Sequence, residues 1–138
     1  MTLDLDAAAG PARIAAMTCL VKDYDEAIEW FTGCLGFVVV EDAMVSPEKR
    51  WVRVAPTPDS VFCLLLARAA APDQLAQVGK QRGGRVFGFL RCMDSVRDHA
   101  RMAARGVRFL QPPRRESYGQ VCVFEDLYGN RWDLIGPP

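Results

Sequence analysis

One carboxylate, Asp133, stands inside the apolar closing run Arg131–Ile135, after the turn signal Gly129–Asn130. Strand alternation would put Arg131, Asp133 and Ile135 on one face, with Trp132 and Leu134 on the other. Four roles are open to such an acid. It could ligate a metal, pair with Arg131 or with Arg53 of a neighbouring strand, anchor a cationic or hydrogen-bonding group of a ligand, or act as a general base without metal. Left buried and unpaired, it would cost several kcal/mol.

The other residues with chemical potential fall into three groups. Trp51 and Arg53 alternate with Val52 and Val54, so an indole and a guanidinium would share one face and could sandwich a planar ligand. Equally, Trp51 could fill a cavity mouth or a dimer contact. Cys63 is the thiol expected on that same face, beside Leu65; with no His or Lys near it to favour the thiolate, it is not expected to be a nucleophile. Arg114, Arg115 and Glu116 precede Tyr118 and Gly119 in an expected loop at the cavity edge, where Tyr118 is a ligand-contact candidate. The single histidine, His99, lies in a helical stretch and reads as a packing residue.

The elements that must position these residues show a repeat. The first half predicts a strand over Ile14–Val21, a helix over Asp23–Cys34 and strands over Phe37–Val40, Trp51–Val54 and Val61–Leu66. The second half predicts a strand over Val86–Arg91, a helix over Ser95–Arg105 and strands over Val107–Leu110, Gln120–Phe124 and Arg131–Ile135. Gly36 and Gly106, Val52 and Cys122, and Cys63 and Asp133 are each 70 residues apart. The order βαβββ therefore occurs twice, as modules over residues 13–67 and 85–136 of a single domain, 13–138. The connector, 68–84, has room for a short helix near Asp73–Val78. Residues 1–12 read as a flexible leader.

With one helix per four strands, a module can cover only one sheet face. Alternation assigns Met17, Cys19, Val52, Val54, Phe62, Leu64, Cys122, Phe124, Trp132 and Leu134 to the helix side. The opposite, concave side receives Ala16, Thr18, Trp51, Arg53, Cys63, Leu65, Gly88, Leu90, Val121, Val123 and Asp133. A concave, mostly apolar surface with a few polar groups suits a small molecule.

Composition narrows the partners. Seventeen basic and seventeen acidic side chains cancel, so no net field draws the chain to nucleic acid or to an anionic membrane. The longest apolar run, Val61–Ala67, is too short to span a bilayer, and the start lacks the pattern of a secretory signal. A cytoplasmic location is expected. Five scattered cysteines without a CxxC pair read as reduced thiols.

The stretch LVKDYDEAIEWFTGCLGF (20–37) resembles the opening helix and turn of the glyoxalase / bleomycin-resistance / dioxygenase superfamily, the vicinal oxygen chelate proteins. RGVRFLQPP (105–113) and SYGQVCVFEDLYGNRWDLI (117–135) are similar to its second-module motifs. The resemblance implies an α+β fold in which tandem βαβββ modules form a curved mixed sheet around a cavity, helices outside, with homodimers common. It also implies a divalent metal held by His or Glu at positions that here are Ala16, Cys63, Gly88 and Asp133. Only Asp133 suits a hard metal, and stable sites offer about three or four protein ligands. No metal and no other cofactor is therefore expected. The implied function is metal-independent binding of a planar or amphipathic small molecule, as in the bleomycin-resistance branch, with Trp51, Arg53, Cys63, Leu65, Tyr118, Arg131 and Asp133 as ligand-binding candidates. The alternatives are a metal-dependent lyase, isomerase or dioxygenase of glyoxalase type, and a non-catalytic accessory dimer. Whether any catalysis occurs stays open, with Asp133 the one weak catalytic candidate.

Overall fold

The computed structural model describes residues 10–138. The expected leader, 1–12, thus lies outside the described residues for all but its last three positions. The chain divides into two compact units, one ending at Ala71 and the other beginning at Pro72. Most of the connector therefore belongs to the second unit.

In the first unit, β1 (Ala16–Val21), α1 (Tyr24–Gly33), β2 (Val38–Ser46), β3 (Lys49–Ala55) and β4 (Cys63–Arg68) follow in order. They form a four-stranded sheet, β1-β4-β3-β2, in which β1 runs parallel to β4 and the other pairs are antiparallel. Helix α1 begins where Asp23, in extended conformation, accepts a hydrogen bond from the Glu26 amide through its side chain. Its apolar face, Tyr24, Ala27 and Phe31, is buried together with Cys19, Val21, Val52, Val54 and Leu66 of the sheet. The helix is also tied to the β2–β3 hairpin through Arg50. Its amide donates to the Tyr24 hydroxyl, and its guanidinium lies over the Tyr24 ring and bonds Asp25 at 2.8 Å and Asp42 at 2.7 Å. Met17 and Phe62, expected beneath the helix, are 39% and 40% exposed instead; Phe62 precedes β4 and lies outside the sheet.

The second unit repeats the topology. It contains α2 (Pro72–Gln77), β5 (Gly88–Arg91), α3 (Ser95–Ala104), β6 (Arg108–Phe109), β7 (Arg114–Glu116), β8 (Gly119–Glu125) and β9 (Arg131–Gly136). The sheet order is β5-β9-β8-β6, with β7 also paired to β8 and β5 parallel to β9. Asp94 caps α3 by accepting from the Arg97 amide. The core is an aromatic chain: His99 packs on Phe109 at 4.1 Å, and Phe124, Trp132 and Phe87 continue it at ring separations of 5.2 to 6.0 Å. His99 is thus a packing residue.

The 70-residue offset extends to whole elements. Val38–Ser46 shifted by 70 spans Arg108–Glu116, and Lys49–Ala55 shifted by 70 is Gly119–Glu125. Unit 1 has one continuous nine-residue β2, whereas unit 2 has β6 and β7 separated by Leu110–Pro113. Pro112 and Pro113 cannot donate to a ladder, so the strand breaks there. The expected loop at Arg114–Glu116 is accordingly a strand, with Arg114 opposite Val121 and Glu116 opposite Gly119.

Candidate functional site

The face of the unit 1 sheet away from α1 is built from cross-strand rows. Glu41 lies opposite Arg53, Arg53 opposite Leu65, and Leu65 opposite Thr18; Ala43 lies opposite Trp51, and Ala16 opposite Cys63. Partners in a row share a face, so Trp51, Arg53, Cys63 and Leu65 come together on the side away from α1. That is the juxtaposition expected from alternation. Its organising residue, however, is Glu41.

One oxygen of Glu41, Oε1, accepts from the Trp51 indole Nε1 at 3.1 Å and from Arg53 Nε at 3.0 Å. Both side chains of this ion pair are only 16% exposed, so the pair is shielded more than a surface bridge. Arg53 Nη1 also reaches Cys63 Sγ at 3.5 Å. A guanidinium carries five N–H donors. With these two in use, three remain to meet an acceptor group. The face therefore presents an anchored indole, a partly free guanidinium and apolar Leu65.

Sequence reasoning missed Glu41 because the expected strand ended at Val40. The signal available was the pairing itself: a hairpin that returns through Lys49–Ala55 must match Arg53 to a residue near Glu41. Two register shifts in the β2–β3 ladder, between Val39 and Glu41 and between Met44 and Ser46, hide the exact partner from counting.

In unit 2, the row around Asp133 is Phe89–Asp133–Val123, next to Arg91–Ile135–Val121–Arg114. Gly88 pairs with Trp132, and a Cβ placed on Gly88 would stand 3.0 Å from the indole. Gly88 and Leu90 are therefore on the helix side, and Phe89 takes the expected place of Gly88 beside Asp133. Neither of the expected salt-bridge partners engages the acid. Arg53 pairs with Glu41 within its own unit. Among the described residues Arg131 and Asp133 form no ion pair; Arg131 lines a pocket with connector residues. Partial burial raises the Asp133 carboxyl above the ordinary carboxylate range, and the positive charge of Arg114 offsets part of that rise. Arg114 itself bonds Glu116 at 2.9 Å. Tyr118 sits in the two-residue turn between β7 and β8 and is 57% exposed.

The metal-ligand positions do not fit a divalent ion. Ala16 and Phe89 offer no donor, and Cys63 already faces the Arg53 cation. Among the described residues, no three His, Cys, Asp or Glu side chains are grouped to hold one. All five cysteines are free thiols. Burial pushes Cys122 up to about 11, which marks it as inert core. No helix among the described residues is long and apolar enough to cross a membrane.

Comparison with known proteins agrees with this architecture. Residues 13–134 match the family model described as Glyoxalase/Bleomycin resistance protein/Dioxygenase superfamily. An uncharacterized protein of Shewanella frigidimarina (strain NCIMB 400) is 47% identical over 123 residues, 88% of this chain and 91% of its own length. The crystal structure of UcmS2 superposes with a TM-score of 0.79 at 29% identity, covering 91% of this chain and 98% of that one. TnmS3, an antibiotic binding protein from Streptomyces sp. CB03234, superposes with a TM-score of 0.75 at 24% identity, over 95% of this chain and all of its own, a likeness of fold.

Proposed function

The chain belongs to the glyoxalase/bleomycin resistance protein/dioxygenase superfamily, and from that premise we propose that it binds a planar or amphipathic small organic molecule without a metal. One observation carries the reading. A single carboxylate oxygen of Glu41 holds both the Trp51 indole and the Arg53 guanidinium, so the stacking surface and the cation are ordered before a ligand arrives. Pre-ordering removes a cost that a mobile Trp–Arg pair would incur on binding. The ligand class follows: an aromatic or conjugated plane to stack on Trp51, bearing a carbonyl, carboxylate or phenolate oxygen for the remaining Arg53 donors. Leu65 supplies apolar contact. That TnmS3 is an antibiotic binding protein favours a natural product of this shape. The protein is proposed to act as a cytoplasmic homodimer, with neither nucleic acid nor membrane as partner.

The test is a titration of planar aromatic acids and quinones, followed by tryptophan fluorescence and then calorimetry. Saturable binding is expected, weakened by Trp51→Ala and by Arg53→Gln. A panel with no saturable binder, or an affinity unmoved by both substitutions, would sink the proposal.

A further inference from the structure

A second site lies wholly within the second unit, and no residue of the Trp51 face contributes to its lining. Turns of the connector and the tip of the β8–β9 hairpin form an open pocket of about 170 Å³, lined by the exposed residues Lys80, Arg82, Arg85 and Arg131 with Asn130 and glycine backbone. Four cations surround it and no carboxylate lines it, although the chain as a whole is neutral. Among the described residues none of the four makes a salt bridge. The acid opposite Arg131 in the ladder, Glu125, is engaged by Arg108 at 3.7 Å. Asp126, behind Asn130, is buried with both oxygens occupied by N–H donors.

The backbone that carries these cations is built, not slack. Lys80 N bonds Gln77 O at 2.8 Å, Gly83 N bonds Lys80 O at 3.2 Å, and Arg85 N bonds Arg82 O at 3.0 Å. Consecutive turns thus set the spacing of Lys80, Arg82 and Arg85. The Arg82 guanidinium lies over the Phe87 ring at 5.2 Å, and Phe87 N bonds Arg131 O at 2.7 Å, joining the two halves of the rim. Gly79 approaches the Tyr128 carbonyl so closely that no side chain fits between them, which fixes the floor.

Like charges gathered without counter-charge repel one another, and a multivalent oxyanion relieves that repulsion while satisfying the donor forks. We infer that this pocket binds a phosphate-type oxyanion, either free or as the terminal group of a small phosphorylated molecule.

The experiment titrates inorganic phosphate, and separately phenyl phosphate, into the full-length chain in low-salt buffer with amide chemical shifts as readout. Saturable binding at one site per chain is expected, with shifts centred on Gly79–Arg85 and Gly129–Arg131. The double variant Arg85→Gln/Arg131→Gln should weaken it by about tenfold or more, while the exposed control Arg115→Gln leaves it unchanged. Tighter binding of phenyl phosphate than of phosphate assigns the organic source, and equal binding the free ion. Non-saturating shifts, shifts spread over all arginines, or a double variant that binds like wild type would overturn the assignment. Because Trp51 lies outside the pocket, its fluorescence titration reports on the other site and fails or succeeds separately.

Discussion

Glu41 and Arg53 face one another across β2 and β3, joined at 3.0 Å, and the same Glu41 oxygen holds the Trp51 indole. In the second unit the corresponding positions, 70 residues on, are Gln111 and Val123. The repeat thus keeps the strand order but not this cluster: the ordered polar group belongs to the first module, and the second carries Asp133 instead.

Removing Glu41 should therefore act on two residues at once. Glu41→Ala leaves a part-buried guanidinium without its carboxylate and an indole without its acceptor, a cost of about 2 kcal/mol. Chemical denaturation should register that loss, and Trp51 emission should shift to the red as the ring loosens. Affinity for a planar ligand should fall with it. A variant as stable as wild type, with unchanged emission, would show that the cluster is not held by Glu41.

Gly79→Ala is expected to destabilise by about 2 kcal/mol or more. The residue has φ of 77°, and an added Cβ would meet the Tyr128 carbonyl. The hairpin tip and the connector turns would have to separate. Comparing thermal midpoints with Gly83→Ala, also at positive φ but open to solvent, isolates the contact from the backbone preference.

Much of this arrangement was legible in the sequence, and the parts that were not share a physical cause. The 70-residue offset anticipates both sheets, because strands at equal spacing in two copies meet the same partners. Strand ends carrying charge were misplaced. The expected strand stops at Val40 and Arg114–Glu116 reads as a loop, yet the backbones of Glu41–Ser46 and Arg114–Glu116 pair with β3 and β8. Backbone pairing is indifferent to side-chain charge where the face is not sealed. Gly88 lies on the face opposite to the expected one, since a one-residue slip in how β5 pairs with β9 inverts every side chain in it. The partner of Asp133 could not be read at all. Being two residues away on one strand puts Arg131 on the same face, but a long flexible side chain can turn elsewhere, and this one joins Lys80, Arg82 and Arg85.

The Asp133 carboxyl gives a pH dependence of defined sign. Its proton is held more tightly in the folded chain than in the unfolded one, because partial burial opposes the charge more than Arg114 favours it. The folded state is therefore favoured at pH below the ordinary carboxylate range, near 4, and that advantage is lost as pH rises through the raised value. Asp133→Asn removes the loss. Urea unfolding should show the variant more stable than wild type at pH 7, with the difference shrinking toward pH 4. Arg114→Gln should enlarge the wild-type loss. An Asp133→Asn chain less stable at neutral pH would mean that the carboxylate has a favourable partner.

Asp126 is raised as Asp133 is, but unlike Asp133 it is fully hydrogen-bonded. Oδ1 accepts from the Tyr128 and Asn130 amides at 3.0 Å, and Oδ2 accepts from Asn130 Nδ2 at 2.9 Å and Trp132 Nε1 at 3.1 Å. Burial raises its carboxyl, while these bonds pull it back. Every partner is an N–H donor, so the group must accept at both oxygens. Asp126→Ala would strand those donors at the hairpin and cost about 3 kcal/mol. Asp126→Asn should recover only part of this, since one of its two atoms would itself be a donor. Full recovery by Asn, measured by denaturant midpoint, would contradict the need for two acceptors.

Metal removal should leave the proposed binding untouched. A divalent cation at Cys63 would have to displace the Arg53 guanidinium, which lies 3.5 Å from the sulfur. Moving Arg53 also breaks its bond to Glu41, so metal entry would dismantle the Trp51–Arg53 face. Two positive groups cannot share one thiol without a compensating acid, and the face has none beyond the Glu41 already engaged. Ligand affinity measured before and after exhaustive chelation should therefore agree. Titration of Zn, Ni, Mn or Fe should give no stoichiometric complex that Cys63→Ser or Asp133→Asn abolishes. A metal bound one per chain and lost in either variant would reverse the reading, and would make the Arg53–Glu41 pair a gate that opens to admit it.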